Sequence, residues 1–270
     1  MPVMPILTMN DGRAIPALGF GTYLVPDVDA SRITREAIGI GYTLVDTAAY
    51  YGNERGVAEG LDGRDDIFVT TKLWRDDMGY DPALRAFDAS LARLGRDHVD
   101  LYLIHWPMPA LGTYVDTWRA LVRLREEGRA KSVGVSNFSP GHLRVLLDAT
   151  GIAPAVNQIE LHPGFQQREL RAFHAAHGIV TQSWGPLGQG SLLGEPAILR
   201  IAEARGCTPA QAILAWHLHH GLAVIPKASA RDRLADNLAA IKVTLAAEDI
   251  AAIDALDDPA GRLGPDPDQF

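Results

Sequence analysis

Short apolar runs alternate with helical patterns along almost the whole chain, and no other feature constrains its fold so tightly. Candidate strands stand around Leu18, then at 43–46 (TLVD), 67–72 (IFVTTK), 99–105 (VDLYLIH), 130–136 (AKSVGVS), 155–160 (AVNQIE), 179–184 (IVTQSW) and 222–226 (LAVIP). Between them apolar residues recur at helical spacing: Leu84, Phe87, Leu91 and Leu94; Trp118, Leu121 and Val122 with the stem of Arg125; then Leu143, Leu146 and Leu147. Pro82, Pro140 and Pro209 sit where a first helical turn tolerates a missing N–H. Repeated strand–helix units imply parallel strands, since a parallel neighbour is reached only by a crossover. Eight units in 270 residues match an α/β fold of the closed (β/α)8 TIM barrel type. The alternative is an open doubly wound sheet with a Gly-x-Gly-x-x-Gly turn after its first strand, but GFGTYL at 19–24 lacks the third glycine. No linker or low-complexity stretch interrupts the alternation, so residues 1–270 are expected to form a single domain. The opening MPILTMNDGRAIPAL predicts a β-hairpin that turns at Asn10-Asp11-Gly12 and covers the lower mouth of the barrel.

A net charge of −8 and a pI near 5.5 argue against nucleic acid or an anionic membrane as the main partner, because both attract basic surfaces. No run approaches the roughly 18 apolar residues of a membrane span. The start lacks a charged segment followed by a long apolar stretch, so no signal peptide is expected. The expectation is a cytoplasmic monomer acting on a small molecule. The lone Cys207 can form neither an internal disulfide nor a zinc framework and is read as a packing residue.

Chemistry in such a barrel sits at the C-terminal ends of the strands, and there the chain becomes specific. The second strand ends in Asp46, the third in Lys72, the fourth in His105 and the sixth in Glu160. One ionisable residue at a strand end commonly does no more than meet water. Complementary groups on three consecutive strands are harder to explain that way, since a buried ammonium needs a partner and Asp46 is a suitable counter-ion for Lys72. A tyrosine from VDTAAYYGNE (45–54) completes a proton-donating set, with Lys72 expected to lower the phenol from its ordinary pKa of about 10. Such a set suits protonation of a carbonyl oxygen. None of these side chains can supply a hydride, so a nicotinamide cofactor is implied.

Seven stretches, DTAAYYGNE, TKLW, LIHWP, GVSNF, VNQIELHP, QSWGPLGQG and VIPKASARDRLADN, occur in one order along essentially the whole chain. Together they resemble the aldo-keto reductase superfamily, and within it the bacterial 2,5-diketo-D-gluconic acid reductase group. The resemblance implies carbonyl reduction with Tyr51, the tyrosine directly before Gly-Asn-Glu, as the acid. Asp46 and Lys72 would support it, His105 would orient the substrate, and Tyr50 would be a pocket wall. It places Ser136, Asn137 and Gln158 on the nicotinamide carboxamide, Trp184 against the ring, and Leu187, Gly188 and Gln189 along the pyrophosphate, with Thr22 also on the cofactor side. Lys227, Ser229 and Arg233 match a 2′-phosphate grip and Asn237 an adenine contact, which implies NADPH. Ala228 and Ala230 stand where relatives usually carry Ser and often a basic residue, which keeps NADH open as the alternative. Tyr23, Tyr50, Trp74 and Trp106, with His105, would flank the substrate. Asn53 is expected to cap the helix that starts at Glu54 and buries Val57 and Leu61.

Two other classes stand beside this reading. A nucleotide-binding member without turnover would serve a regulatory or structural role; retention of Asp46, Tyr51, Lys72 and His105 argues for chemistry instead. A metal-dependent barrel hydrolase would carry a His-x-His pair after the first strand, where this chain has GFGTY. The histidines of WHLHH (216–220) lack the i, i+4 spacing of a zinc helix and are read as helix surface, so no metal site is expected.

Overall fold

The computed structural model describes residues 4–270. Strands β1 (Ile6–Thr8) and β2 (Ala14–Pro16) pair antiparallel with Leu7 opposite Ile15. They turn at residues 10–12, where Gly12 N–H donates to Met9 O. Eight strands follow: β3 (Phe20–Gly21), β4 (Leu44–Asp46), β5 (Phe68–Leu73), β6 (Val99–Ile104), β7 (Ala130–Ser136), β8 (Val156–Glu160), β9 (Val180–Trp184) and β10 (Ala223–Val224). Each pairs in parallel with the next in chain order. The parallel bridges Leu18–Val224 and Gly21–Lys227 join the last strand to the first and close the barrel. The predicted strands agree with the observed ones to within about two residues at most ends.

Side chains alternate across each strand, so every strand serves two cores. Inside the barrel, Leu44, Leu101, Leu103, Val156, Val180, Ala223 and Ile225 pack together. Between strands and outer helices lie Phe87, Tyr102, Trp118, Leu143 and Trp216. The hairpin closes the lower mouth with Met9 and Ile15, which join the inner cluster. Asn10 Nδ2 donates to Pro154 O at 2.9 Å, and Asp11 Oδ2 accepts from Ser132 Oγ at 2.7 Å. Burial of Ile15 alone stabilises this lid by roughly 1.5–3 kcal/mol.

Single helices connect successive strands as far as β9. Two helices, Pro196–Arg205 and Pro209–His219, lie between β9 and β10, and a final helix, Ala247–Asp254, follows Arg231–Ala239. Simple alternation misses the first pair. Its break is nonetheless written locally: Gly206 ends one helix at φ 61°, and Thr208 Oγ1 accepts from Gln211 N–H at 3.2 Å while Gln211 Oε1 accepts from Thr208 N–H. Pro140 and Pro209 begin their helices as expected, whereas Pro82 is the third residue of Tyr80–Leu94. Among the described residues no helix is long and apolar enough to cross a membrane.

Candidate active site

Asp46 and Lys72 end up side by side because β4 and β5 are neighbours whose inward-facing residues reach the same mouth. Lys72 Nζ lies 2.5 Å from Asp46 Oδ1, donates to Thr47 O at 3.0 Å and reaches Tyr51 Oη at 3.4 Å. Tyr51 ends the short turn Ala49–Tyr51. His105 follows β6, its backbone N–H held by Leu73 O, and its ring centroid is 5.6 Å from that of Tyr51. The four residues expected to act together therefore converge.

Burial drives Asp46 upward and Lys72 downward in pKa, and each opposes the other's shift through their contact. Burial also carries the Tyr51 phenol well above its usual value, with Asp46 and Tyr23 adding to the rise. The sequence-based expectation that Lys72 lowers this pKa is therefore not met. The ammonium is already engaged by Asp46 and a carbonyl, so desolvation of the phenol dominates. Burial, with Lys72 nearby, holds His105 well below its ordinary value as a neutral imidazole. Among the described residues its side chain has no hydrogen-bond partner, and Nδ1 is buried.

Asn53 begins the helix Glu54–Leu61, which buries Val57 and Leu61, but its side chain does not cap it. Instead Nδ2 donates to Thr22 O and Val25 O, both at 2.9 Å, and Oδ1 accepts from Thr47 Oγ1 at 2.7 Å. Asn53 thus ties three segments beneath Tyr51. Thr22 is fully buried and its hydroxyl donates to Asp46 O at 3.0 Å, which makes it a support for Asp46. Sequence reasoning also passed over Glu54, which accepts from Thr71 Oγ1 at 2.6 Å and from Arg93 Nε at 2.5 Å.

Beside the lysine lies an amide set. Trp184 Nε1 donates to Asn137 Oδ1 at 2.8 Å, and Asn137, held at φ 64°, donates to His105 O and Ser136 Oγ. Ser136 Oγ donates to Gln158 O at 2.7 Å, while Gln158 Nε2 donates to Asp46 Oδ2 and Gln182 Oε1, both at 2.8 Å. Ser136, Asn137, Gln158 and Trp184 are thus brought together, and Gln182 belongs with them. Its signal was the two-residue step from Trp184, which places both on the inner face of β9.

Leu187, Gly188 and Gln189 lie on the loop after β9, where Gly188 and Gly190 (φ 57° and 96°) and Gln189 (φ 55°) turn the backbone outward. After β10, Lys227, Arg231 and Arg233 are exposed and, among the described residues, form no ion pair, although the chain as a whole is acidic. They flank the N-terminus of helix Arg231–Ala239, whose first turn has no side-chain cap. Uncommitted cations beside free helix N–H groups suit a phosphate. Ser229 Oγ accepts from Arg233 at 3.1 Å, and Asn237 is buried. Ala228 packs into the core at 1% exposure.

Aromatic rings surround the mouth. Tyr50 stacks on Trp74 at 3.9 Å, Trp74 is edge-on to His105 at 5.2 Å, and Tyr23 lies 5.2 Å from Tyr51. Trp106 packs against Phe270, at 4.7 Å, which sequence reasoning did not bring to the site. His217 of WHLHH is fully buried under Pro186 O rather than on the helix surface as expected, and His220 pairs with Asp254 at 2.9 Å. Among the described residues no three His, Cys, Asp or Glu side chains converge to hold a metal.

A family model described as the Aldo/keto reductase family matches residues 17–258. The chain is 52% identical to an aldo-keto reductase of Mycobacterium sp. (strain JLS) over 271 aligned residues, covering 98% of each. It is 42% identical to the methylglyoxal reductase DkgA of Escherichia coli (strain K12), again covering 98% of each. A crystal structure of a Gox0644 mutant in complex with NADPH superimposes with a TM-score of 0.98 at 49% identity, covering 100% of this chain and 99% of that one.

Proposed function

This chain belongs to the aldo/keto reductase family, and we propose that it is an NADPH-dependent oxidoreductase that reduces a small carbonyl compound to an alcohol. The observation that carries this reading is the convergence of the Tyr51 hydroxyl, the Asp46–Lys72 pair and a neutral His105 at one barrel mouth. Suitable substrates are aldehydes, α-keto aldehydes and diketo sugar acids such as 2,5-diketo-D-gluconate. Relatives named methylglyoxal reductase favour the small α-keto aldehydes.

NADPH, when bound, supplies the hydride. Ser136, Asn137 and Gln158 hold the carboxamide, Trp184 packs the ring, and Leu187, Gly188 and Gln189 follow the pyrophosphate. Lys227, Ser229 and Arg233 grip the 2′-phosphate, and Asn237 meets the adenine. His105, neutral and with its ring uncommitted, orients the carbonyl oxygen toward Tyr51. Tyr51 Oη gives its proton to that oxygen, and Lys72 at 3.4 Å stabilises the phenolate left behind. The raised phenol pKa keeps the donor protonated until the moment of transfer. Tyr23, Tyr50, Trp74 and Trp106 give the pocket apolar walls. We read residues 1–270 as one domain that works as a cytoplasmic monomer.

The test follows NADPH oxidation with methylglyoxal in wild type and Tyr51→Phe. Wild type should consume the cofactor, and the variant should lose at least about 10²-fold in rate with NADPH affinity nearly intact. Turnover at the wild-type rate in Tyr51→Phe would remove Tyr51 as the acid. Inertness of the wild type toward NADPH and NADH with several aldehydes would favour a nucleotide-binding role without turnover.

A further inference from the structure

One buried carboxylate at the barrel mouth has no part in this chemistry. Glu160 ends β8 two residues beyond Gln158, so both face inward, and it stands opposite Trp184 in the strand register. It is only 2% exposed. Oε1 accepts from His162 Nε2 at 3.3 Å and from Leu263 N–H at 2.6 Å, and Oε2 accepts from Gly264 N–H at 2.8 Å. Burial alone would raise this carboxyl, but the three donors outweigh it and hold it below its usual value. Glu160 is therefore a fixed anion and no proton donor at neutral pH.

Both backbone donors belong to the C-terminal tail, residues 258–270, which crosses the mouth. At its base Asp258 N–H donates to Gly164 O at 3.3 Å. Leu263 itself is 48% exposed, so it is its backbone rather than its side chain that ties it to the barrel. A cavity of about 460 Å³ lies at this junction, lined in part by Asn137, Glu160, Phe165, Arg262 and Asp268. The end of the tail then reaches the pocket, with Asp268 Oδ1 3.5 Å from His142 Nε2 and Phe270 packed on Trp106.

Gly264 is where the clamp meets the indole. A Cβ at this position would lie 2.7 Å from Trp184 Cη2 and 2.9 Å from Glu160 Oε2, so only glycine fits between them. The indole is also held through Nε1, which donates to Asn137. We propose that Glu160 is a positioning residue that clamps the C-terminal tail and thereby fixes both the Trp184 indole, through Gly264, and the Trp106 wall, through Phe270. The clamp itself is independent of the proposed reductase activity; what Trp184 and Trp106 serve rests on that reading.

The test compares wild type, Glu160→Gln and Gly264→Ala by amide hydrogen exchange across 258–270, by NADPH affinity and by the KM and kcat for methylglyoxal. Glutamine keeps the volume but loses the charge, and alanine wedges a methyl between carboxylate and indole without altering either. Both variants should lose protection at Leu263 and Gly264 by about 10- to 100-fold, as expected when charge-assisted bonds are removed. Both should weaken NADPH binding and raise the KM by roughly tenfold while kcat changes less than about threefold, the pattern of lost binding rather than lost chemistry. Unchanged protection, or lost protection with wild-type affinity and KM, would overturn the proposal. If Glu160→Gln does not fold, Gly264→Ala decides alone. If the wild type turns over neither methylglyoxal nor other aldehydes with NADPH or NADH, the reductase reading falls, and exchange with NADPH affinity still judges the clamp.

Discussion

Asp46 accepts from Lys72 on one carboxylate oxygen, at 2.5 Å, and from Gln158 on the other, at 2.8 Å. One buried group thus joins the lysine beside Tyr51 to the amide set beside Trp184. The proposed proton donor and the amide set proposed to hold the cofactor are consequently linked in one hydrogen-bonded frame, and a change at Asp46 should be felt on both sides.

Separate and combined replacement of the pair tests that frame. Lys72→Met strands a buried carboxylate and Asp46→Asn strands a buried ammonium, each expected to cost about 3–5 kcal/mol of stability. The double variant strands neither and should lose clearly less than the sum of the two. Asp46→Asn should also weaken NADPH binding by roughly 3- to 10-fold through the freed Gln158 amide, an effect Lys72→Met should lack. Urea unfolding and cofactor titration read these outcomes; additive losses in the double variant would show that the residues act independently.

The pH profile separates a tuned phenol from a desolvated one. Because burial raises Tyr51, its acid form should persist through about pH 9, above which an unperturbed phenol would already begin to titrate. The kcat for methylglyoxal should therefore stay level from neutral pH to about pH 9. An alkaline decline centred near pH 8, absent when the rate is limited by product release, would instead support the lowered pKa expected from sequence.

The barrel was legible because its parallel strands are buried on both faces and so read as short apolar runs, each bounded by a polar strand end such as Asp46, Lys72 or His105. The convergence of those ends followed from the topology alone. What stayed hidden depends on distances between segments remote in sequence. Asn53 looked like a helix cap because its local context is that of one, yet its amide faces Thr22 and Val25, some thirty residues earlier. Glu160 reads as another strand-end acid, but two of its three partners lie about a hundred residues on, in a tail without periodic pattern. His217 was placed at the surface because His is usually solvated, whereas its helix is apolar on nearly every side. The fold and the strand-end residues Asp46, Lys72 and His105 were local signals; the remote hydrogen bonds that hold Asn53 and Glu160 were not.

Cofactor preference should rest on the basic residues after β10. Lys227→Ala and Arg233→Ala should each raise the KM for NADPH by roughly 10- to 100-fold, the range for losing a charged hydrogen bond to phosphate, and leave that for NADH within about twofold. Steady-state kinetics with both cofactors gives the answer. Equal effects on NADPH and NADH would mean that these residues hold the shared pyrophosphate or serve the fold. Ala228→Ser tests the departure from the family pattern: since Ala228 is buried against the core, the added hydroxyl should destabilise the protein without improving NADPH binding.

Acid stability follows from two histidines that the chemistry does not use. Asn157 Nδ2 donates to His174 Nε2 at 2.9 Å, which leaves the proton on Nδ1 to donate to Thr181 Oγ1 at 2.8 Å. His217 donates Nε2–H to Pro186 O at 3.3 Å. Burial lowers both to about 3, so each is neutral in the folded protein. In the unfolded chain they protonate near pH 6.5. Between those values the unfolded state binds more protons, so stability falls as pH drops, by about 1.4 kcal/mol per pH unit for each group. The loss should begin near pH 6.5, above the range in which ordinary carboxylates titrate. Urea midpoints at pH 7.5, 6.5, 5.5 and 4.5 measure it, with His217→Gln as the control: that variant starts from a less stable fold but should show a shallower acid slope. A midpoint constant from pH 7.5 to 5.5 would count against buried neutral histidines, and an unaltered slope in His217→Gln would place the sensitivity elsewhere.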